Sequence, residues 1–389
     1  MSDPAQLEDQ QERLRRWRLI LGDPAHEAIA VSLGETELGM DRALSALYEE
    51  ERKGGLGASC PNVARWLGDI RTFFPTSVVR VMQKDALDRL GLQQMLMEPE
   101  LLEAVEPDIH VVATLLSLGR VIPERTRETA RLVVRRLVDE LMRRLAQPTR
   151  QAVAGALSRA TRSRRPKVNE IDWDRTIRAN LRNYDSERRT VVAEHPVGYG
   201  RKRSSLRDVV LCVDQSGSMA ASVVYSSIFG AVLASLRAVR TRMVVFDTAV
   251  VDLTDELKDP VDLLFGTQLG GGTDINQALA YCQQIITRPA QTVLILITDL
   301  FEGGNADEMV KRAAAIAQSG ATFVCLLALA DSGAPGYDSA NASRLASLGI
   351  PAFACTPDLF PDLMAAAIQR RDLGLWAARH DITTVTAGG

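Results

Sequence analysis

Aromatic residues are scarce in this chain, at 5% of 389 residues, and histidine occurs only four times, at His26, His110, His195 and His380. No two of these histidines stand at helical ligand spacing, so a histidine-based zinc or catalytic centre is disfavoured. The five cysteines, Cys60, Cys212, Cys282, Cys325 and Cys355, are odd in number and far apart, and three lie inside apolar, strand-like runs. That pattern speaks against a disulfide framework or a thiolate metal site and fits small buried hydrophobes. No run of about 18 uninterrupted apolar residues occurs, and the start, Met1-Ser-Asp-Pro-Ala-Gln-Leu-Glu8, lacks the basic and apolar portions of a secretory signal. The expectation is a cytoplasmic protein without a membrane partner.

What is present is ordinary for a soluble globular chain of two or three domains: 46% hydrophobic and 24% charged residues. The net charge of −3 is uneven. Residues 1 to 150 carry −3, residues 151 to 206 carry +7 and residues 207 to 389 carry −7. A basic connector thus joins two acidic parts.

The first part reads as helical throughout, with a 3.6-residue apolar period over Pro4 to Leu21, Asp41 to Glu51, Asn62 to Phe74, Thr76 to Leu90, Pro99 to Leu118 and Glu124 to Leu157. Gly54-Gly-Leu-Gly57, Cys60-Pro61, Pro75 and Ile122-Pro123 supply breaks. Residues 1–158 are therefore expected to form an all-α domain, followed by a connector over 159–206. Within the connector, Ile171 to Leu181 reads as a short amphipathic helix whose Trp173, Ile177 and Leu181 would dock on a neighbouring domain. Arg189 to Pro196 reads as extended.

From Arg207 onward the pattern changes. Strands are expected at Asp208–Asp214, Arg242–Asp247, Val250–Leu253, Thr292–Asp299, Thr322–Ala330 and Ala352–Thr356. Helices are expected at Val223–Val239, Ile275–Thr287, Ala306–Ser319, Ala342–Leu348 and Phe360–Arg371. Continuous apolar strands such as Val293-Leu-Ile-Leu-Ile297 need cover on both faces, so the fold class is α/β: a Rossmann-like, doubly wound, mostly parallel sheet over 207–374. A flexible tail is expected over 375–389.

Three segments of this part carry chemistry, and all lie at strand ends, where open sheets bind ligands. Asp214, Ser216 and Ser218 stand at alternate positions of Asp214-Gln-Ser-Gly-Ser218, so their side chains can converge. Thr273 arrives on Gly270-Gly-Gly-Thr-Asp274, and Asp299 ends the run Leu294-Ile-Leu-Ile-Thr-Asp299. An all-oxygen set with two carboxylates suits a hard cation, Mg²⁺ first, with Mn²⁺ and Ca²⁺ as alternatives. Asp274 and Asn276 beside Thr273, and Asp247 in Val245-Phe-Asp-Thr248, are read either as helpers of this site or as ordinary caps and turn formers.

The series Asp-x-Ser-x-Ser, then Thr, then Asp, resembles the metal-ion-dependent adhesion site (MIDAS) of von Willebrand factor A (VWA) domains. The resemblance implies that Ser216, Ser218 and Thr273 touch the metal while Asp214 and Asp299 hold its waters. It also implies that a partner protein donates an Asp or Glu to the open position. A helical region followed by such a domain is similar to the CoxE-like family of bacterial VWA proteins. The stretches that carry this are Val213 to Ala220, Phe265 to Asn276 and Ile297 to Gly304. Members of that family commonly work with MoxR-type AAA+ ATPases, so an adaptor or co-chaperone role is implied.

Two other functions compete with this one. A Mg²⁺-dependent hydrolase acting on phosphoesters would use the same strand-end metal, but no phosphate-binding loop, Asp-x-Asp nucleophile or adjacent His or Lys base accompanies it. Nucleic-acid binding would use Arg162, Arg164, Arg165, Lys167 and Arg201-Lys-Arg203 of the connector, yet aromatic residues and reader motifs are missing there. The expected product is a non-enzymatic, metal-dependent interaction module.

Overall fold

The structure, a computed structural model, describes residues 4–22, 29, 31–48, 60–90, 96–97, 99–118, 122–160, 162–163, 168, 171–186, 188–199, 206–267, 271–331, 333 and 336–386. The chain divides into two compact units, Met1–Leu137 and Val138–Gly389.

In the first unit the described elements are helical: α1 (Pro4–Leu21), α2 (Glu35–Tyr48), α3 (Cys60–Phe73), α4 (Thr76–Leu90), α5 (Pro99–Ala104), α6 (Ile109–Ser117) and the start of α7 (Glu124–Ala160). The mostly helical expectation holds here. Trp66, Ile70, Leu102, Val111, Leu115 and Val134 are among the buried side chains. Trp66 satisfies its buried indole by donating Nε1–H to the Ala43 carbonyl at 3.0 Å, which ties α3 to α2. The single helix expected over Pro99–Leu118 is in fact two. Pro107 cannot donate to a helical ladder, and Asp108 caps a new helix by accepting from the Val111 amide at 2.8 Å. The break at Gly54–Gly57 lies outside the described residues.

The second unit begins within α7 and continues through two short antiparallel ladders, β1 (Arg162–Ser163) with β4 (Gly198–Tyr199) and β2 (Tyr184–Asp185) with β3 (Thr190–Val191). Between them α8 (Trp173–Ala179) is capped by Asp172, which accepts from Arg175 N. The expected docking of Trp173, Ile177 and Leu181 is not observed: they are 55%, 43% and 58% exposed. The helix is held from its other side. Thr176 exchanges hydrogen bonds with both backbone groups of Val197, and Asn180 does the same with His195. Of the expected extended segment Arg189–Pro196, only Thr190–Val191 pairs as a strand.

The main sheet has six strands, β5 (Arg207–Asp214), β6 (Val239–Phe246), β7 (Val250–Asp252), β8 (Thr292–Ile297), β9 (Thr322–Leu329) and β10 (Ala352–Cys355), in the order β10-β9-β8-β5-β6-β7. All neighbours are parallel except β6 and β7. Strand order reverses between β5 and β8, so the two strands that end in Asp214 and Thr298-Asp299 flank the topological switch point.

Side-chain alternation divides the sheet's apolar residues between two layers. Val210, Cys212, Leu294 and Leu296 pack with Ile275, Leu279 and Cys282 of α11 (Ile275–Ile285), Met309, Ala313 and Ile316 of α12 (Ala306–Gln318) and Leu345 of α13 (Ser339–Ser347). On the opposite face lies α9 (Ala220–Ala234), joined by α10 (Pro260–Gly266) and α14 (Phe360–Ile368). A Cβ on Gly230 of α9 would stand 2.9 Å from the Leu257 side chain, so the missing side chain leaves room for that residue against α9. Phe229 and Phe360 meet at 4.3 Å between ring centroids. Residues Gly217–Ala234 are apolar and long enough to cross a membrane by length and composition, but Ser222–Leu233 are buried in this layer.

Several boundaries differ from expectation. The helix read as Val223–Val239 ends at Ala234, because Val239 already pairs with Arg207 as the first residue of β6. Helix α10 was not expected, although Asp259 caps it and Pro260 opens it. The tail expected to be flexible from residue 375 contains α15 (Leu373–Arg379), capped by Asp372. Further on, Val385 donates to Ala352 O at 3.0 Å and packs against the core.

Candidate metal centre

Asp214 is the last residue of β5 and is wholly buried. Its Oδ1 accepts from the Ser216 amide at 2.8 Å, and its Oδ2 accepts from the Thr298 hydroxyl at 2.7 Å. Ser216 leads into a single 3₁₀ turn, Gly217–Met219, without using its own side chain as a cap. Its hydroxyl is free to face Ser218, with 3.2 Å between the two Oγ atoms. Ser218 in turn donates to Asp299 Oδ2 at 2.6 Å. Four of the five expected residues therefore form one hydrogen-bonded cluster drawn from the ends of two adjacent parallel strands.

Thr273, also nearly buried, belongs to a loop held from two directions. Asp274 donates its amide to the Asp247 carbonyl at 2.8 Å, and Gly303, four residues after Asp299, donates to the Thr273 carbonyl at 2.8 Å. Glu302 adds a third tie: its Oε2 accepts from Ile275 N at 2.7 Å and its Oε1 from Gly304 N at 3.1 Å.

The helper candidates have identifiable duties. Asp274 caps α11 by accepting from Gln277 N, Asn276 accepts from Arg312 Nε, and Asp247 accepts from Ala249 N while its carbonyl orders the Thr273 loop. Thr298, Glu302 and Gly303 were not singled out from sequence. Thr298 reads there as one more strand residue, while the pair Gly303-Gly304 was the available sign of a close backbone approach.

Burial sets the electrostatics of the cluster. Burial pushes the Asp214 pKa above the usual carboxylate range; the bonds from Ser216 and Thr298 pull it back, and the neighbouring Asp299 charge pushes it up again. Among the described residues no Lys or Arg forms an ion pair with Asp214 or Asp299, and no group of three or more His, Cys, Asp or Glu is arranged to hold a metal ion by itself. Two buried carboxylates without a basic partner, lined by neutral hydroxyls, fit a single hard divalent ion.

An open, doubly wound sheet defines the class: an α/β domain with this constellation, a candidate site, at the carboxyl edge of its switch point. The chain belongs to the family of VWA domain containing CoxE-like proteins, which matches residues 141–364. Uncharacterized protein YehP of Escherichia coli (strain K12) is 36% identical over 366 residues, 92% of this chain and 97% of that protein. Among solved structures, an aerotolerance-related membrane protein from Bacteroides fragilis NCTC 9343 is 16% identical, covering 42% of this chain and 99% of that one, with a TM-score of 0.33. A von Willebrand factor type A protein from Catenulispora acidiphila is 15% identical, covering 42% and 43%, with a TM-score of 0.33.

Proposed function

We propose that this protein is a non-enzymatic, metal-dependent docking module. In this reading Asp214, Ser216, Ser218, Thr273 and Asp299 form a MIDAS-type centre for one divalent cation, Mg²⁺ first and Mn²⁺ or Ca²⁺ as alternatives. A partner protein supplies an Asp or Glu to it. The observation that carries the reading is the buried pair Asp214 and Asp299, tied into a hydroxyl cluster and lacking a basic partner among the described residues. When bound, the cation supplies a positive site that neutral hydroxyls leave under-neutralised, so an incoming carboxylate gains a charge-assisted contact. Ser216 and Ser218 orient their oxygens toward one another, and Asp214 is kept in place by Thr298.

Docking is favoured over hydrolysis because no His or Lys is hydrogen-bonded to the five residues among those described. The basic connector residues Arg164, Arg165, Lys167 and Arg201–Arg203, weighed for nucleic acid, lie outside the described residues. The partner that the CoxE-like resemblance implies is a MoxR-type AAA+ ATPase, with this chain as its cytoplasmic adaptor or co-chaperone.

The test is a pair of measurements on wild type and Ser216→Ala. Thermal or urea unfolding in excess Mg²⁺ and in chelator reads metal binding, since ligand at a hundredfold its dissociation constant stabilises by about 2.7 kcal/mol. Affinity purification of both proteins side by side in Mg²⁺ then reads docking, with the proteins lost from the variant identified and assayed for ATP hydrolysis. Equal wild-type stability in Mg²⁺ and chelator, or partner retention indifferent to the substitution, would sink the proposal.

A further inference from the structure

In the sheet domain, residues 207–379, only four large apolar side chains stand out in solvent among those described: Val251, Phe301, Tyr337 and Leu375. Both aromatics of this group stand in segments whose backbone amides bond to Asp299. Phe301 is 54% exposed, and its amide donates to Asp299 Oδ1 at 3.4 Å. Tyr337 is 37% exposed and directly precedes Asp338, whose amide donates to the Asp299 carbonyl at 2.9 Å. Two segments far apart in sequence are therefore pinned to one residue of the metal centre, and each offers an aromatic ring to water.

The turn from Asp299 to Phe301 is held against its own preference. Leu300 has φ 65°, a left-handed conformation that a branched side chain seldom adopts. It is held there by burial of its side chain, by its amide donating to Thr298 Oγ1 at 3.1 Å and by Asn341 Nδ2 donating to its carbonyl at 3.2 Å. Leu300 is buried in this turn while Phe301, the next residue, is exposed. The residue after each ring is acidic: Glu302 follows Phe301 and Asp338 follows Tyr337.

We infer that this rim selects a partner segment in which the metal-seeking Asp or Glu stands next to a large apolar residue. The apolar group packs on Phe301 and Tyr337, while a second acidic neighbour is repelled by Glu302 and Asp338. The same acidic rim disfavours a nucleic-acid phosphate as the carboxylate's substitute. This inference rests on the metal-docking reading and names the partner chemistry that would satisfy it.

The test uses the full chain and three fluorescein-labelled heptapeptides, alike except at the centre, which reads Asp-Phe, Asp-Ala or Asp-Asp. Anisotropy titrations are run in Mg²⁺ and in chelator. In Mg²⁺ the Asp-Phe probe should bind about tenfold tighter than Asp-Ala, with Asp-Asp weakest. The double variant Phe301→Ser/Tyr337→Ser, folded by circular dichroism, should bring Asp-Phe down to within about twofold of Asp-Ala. Equal binding of Asp-Phe and Asp-Ala that vanishes in chelator would overturn this inference and leave the docking reading standing. Binding of every probe indifferent to chelator would overturn the docking reading and this inference with it. Sedimentation of the unliganded chain covers the remaining occupant. Self-association that the double variant abolishes would assign the rim to a second copy of the chain and overturn the inference.

Discussion

Gly303 donates its amide to the Thr273 carbonyl at 2.8 Å, and a Cβ built on Gly303 would stand 2.8 Å from that same oxygen. The loop after Asp299 and the loop bearing Thr273 thus meet at a distance only glycine permits. Gly303→Ala must push the Thr273 backbone aside. If Thr273 serves the proposed metal centre, the Mg²⁺ dissociation constant should rise about tenfold, equivalent to roughly 1.4 kcal/mol. Titration calorimetry reads this directly, and an unchanged constant would show that Thr273 need not hold its position.

Thr298→Val keeps the shape of a buried side chain but removes both the donor to Asp214 and the acceptor for the Leu300 amide. A buried carboxylate left with fewer partners costs about 1.5 to 3 kcal/mol. Urea unfolding of wild type and variant in chelator should show that loss. A difference below about 0.5 kcal/mol would mean that Asp214 is satisfied without Thr298.

Tyr281 donates its hydroxyl to Asp252 Oδ2 at 2.7 Å, joining α11 to β7. Burial opposes ionisation of Asp252, but the bonds from the Thr254 hydroxyl, Tyr281 and the Thr254 amide outweigh it and hold the carboxyl below its usual range. A depressed folded-state pKa contributes stability that is present above the unfolded pKa and lost as pH falls through the folded one. Tyr281→Phe should therefore cost about 1 kcal/mol near neutral pH, discounted for partial exposure, and the penalty should shrink as pH falls below about 4. A penalty that stays constant across that range would sever it from Asp252 ionisation.

Cys212, Cys282, Cys325 and Cys355 are buried and unpaired. Burial pushes the Cys355 thiol up to about 12 and raises Cys212 and Cys325 as well. Little thiolate is available to react at neutral pH. Iodoacetamide should leave all four unmodified in the native protein and label them in denaturant, as peptide mass mapping would reveal. Native-state labelling of any of them would signal local opening of the sheet layer.

Much of the sheet domain was legible because its strands are continuous apolar runs with polar punctuation. Val293 to Ile297 reads as a doubly covered strand from composition alone, and β8 spans it. The set Asp214, Ser216 and Ser218 was legible for an equally local reason, since alternate residues of an extended turn face one way. Where reading failed, two explanations competed locally. The apolar stripe of Trp173, Ile177 and Leu181 looks like a buried face, but the bonds of Thr176 and Asn180 decide which side of α8 is held. Across Pro107 the apolar period continues on both sides, so periodicity hid the break that Asp108 caps.

By itself the sequence determined the kind of fold, the strand ends and the oxygen-bearing residues at them, because dihedral preference and side-chain periodicity act over a few neighbours. Only the tertiary structure decided that Thr298 reaches Asp214, that Gly303 pins Thr273 and that the Asp338 amide reaches the Asp299 carbonyl. Those contacts join segments tens of residues apart. They exist because β8 lies beside β5 in the sheet, an order set by how the helical layers bury the strands and not encoded in any short stretch of chain.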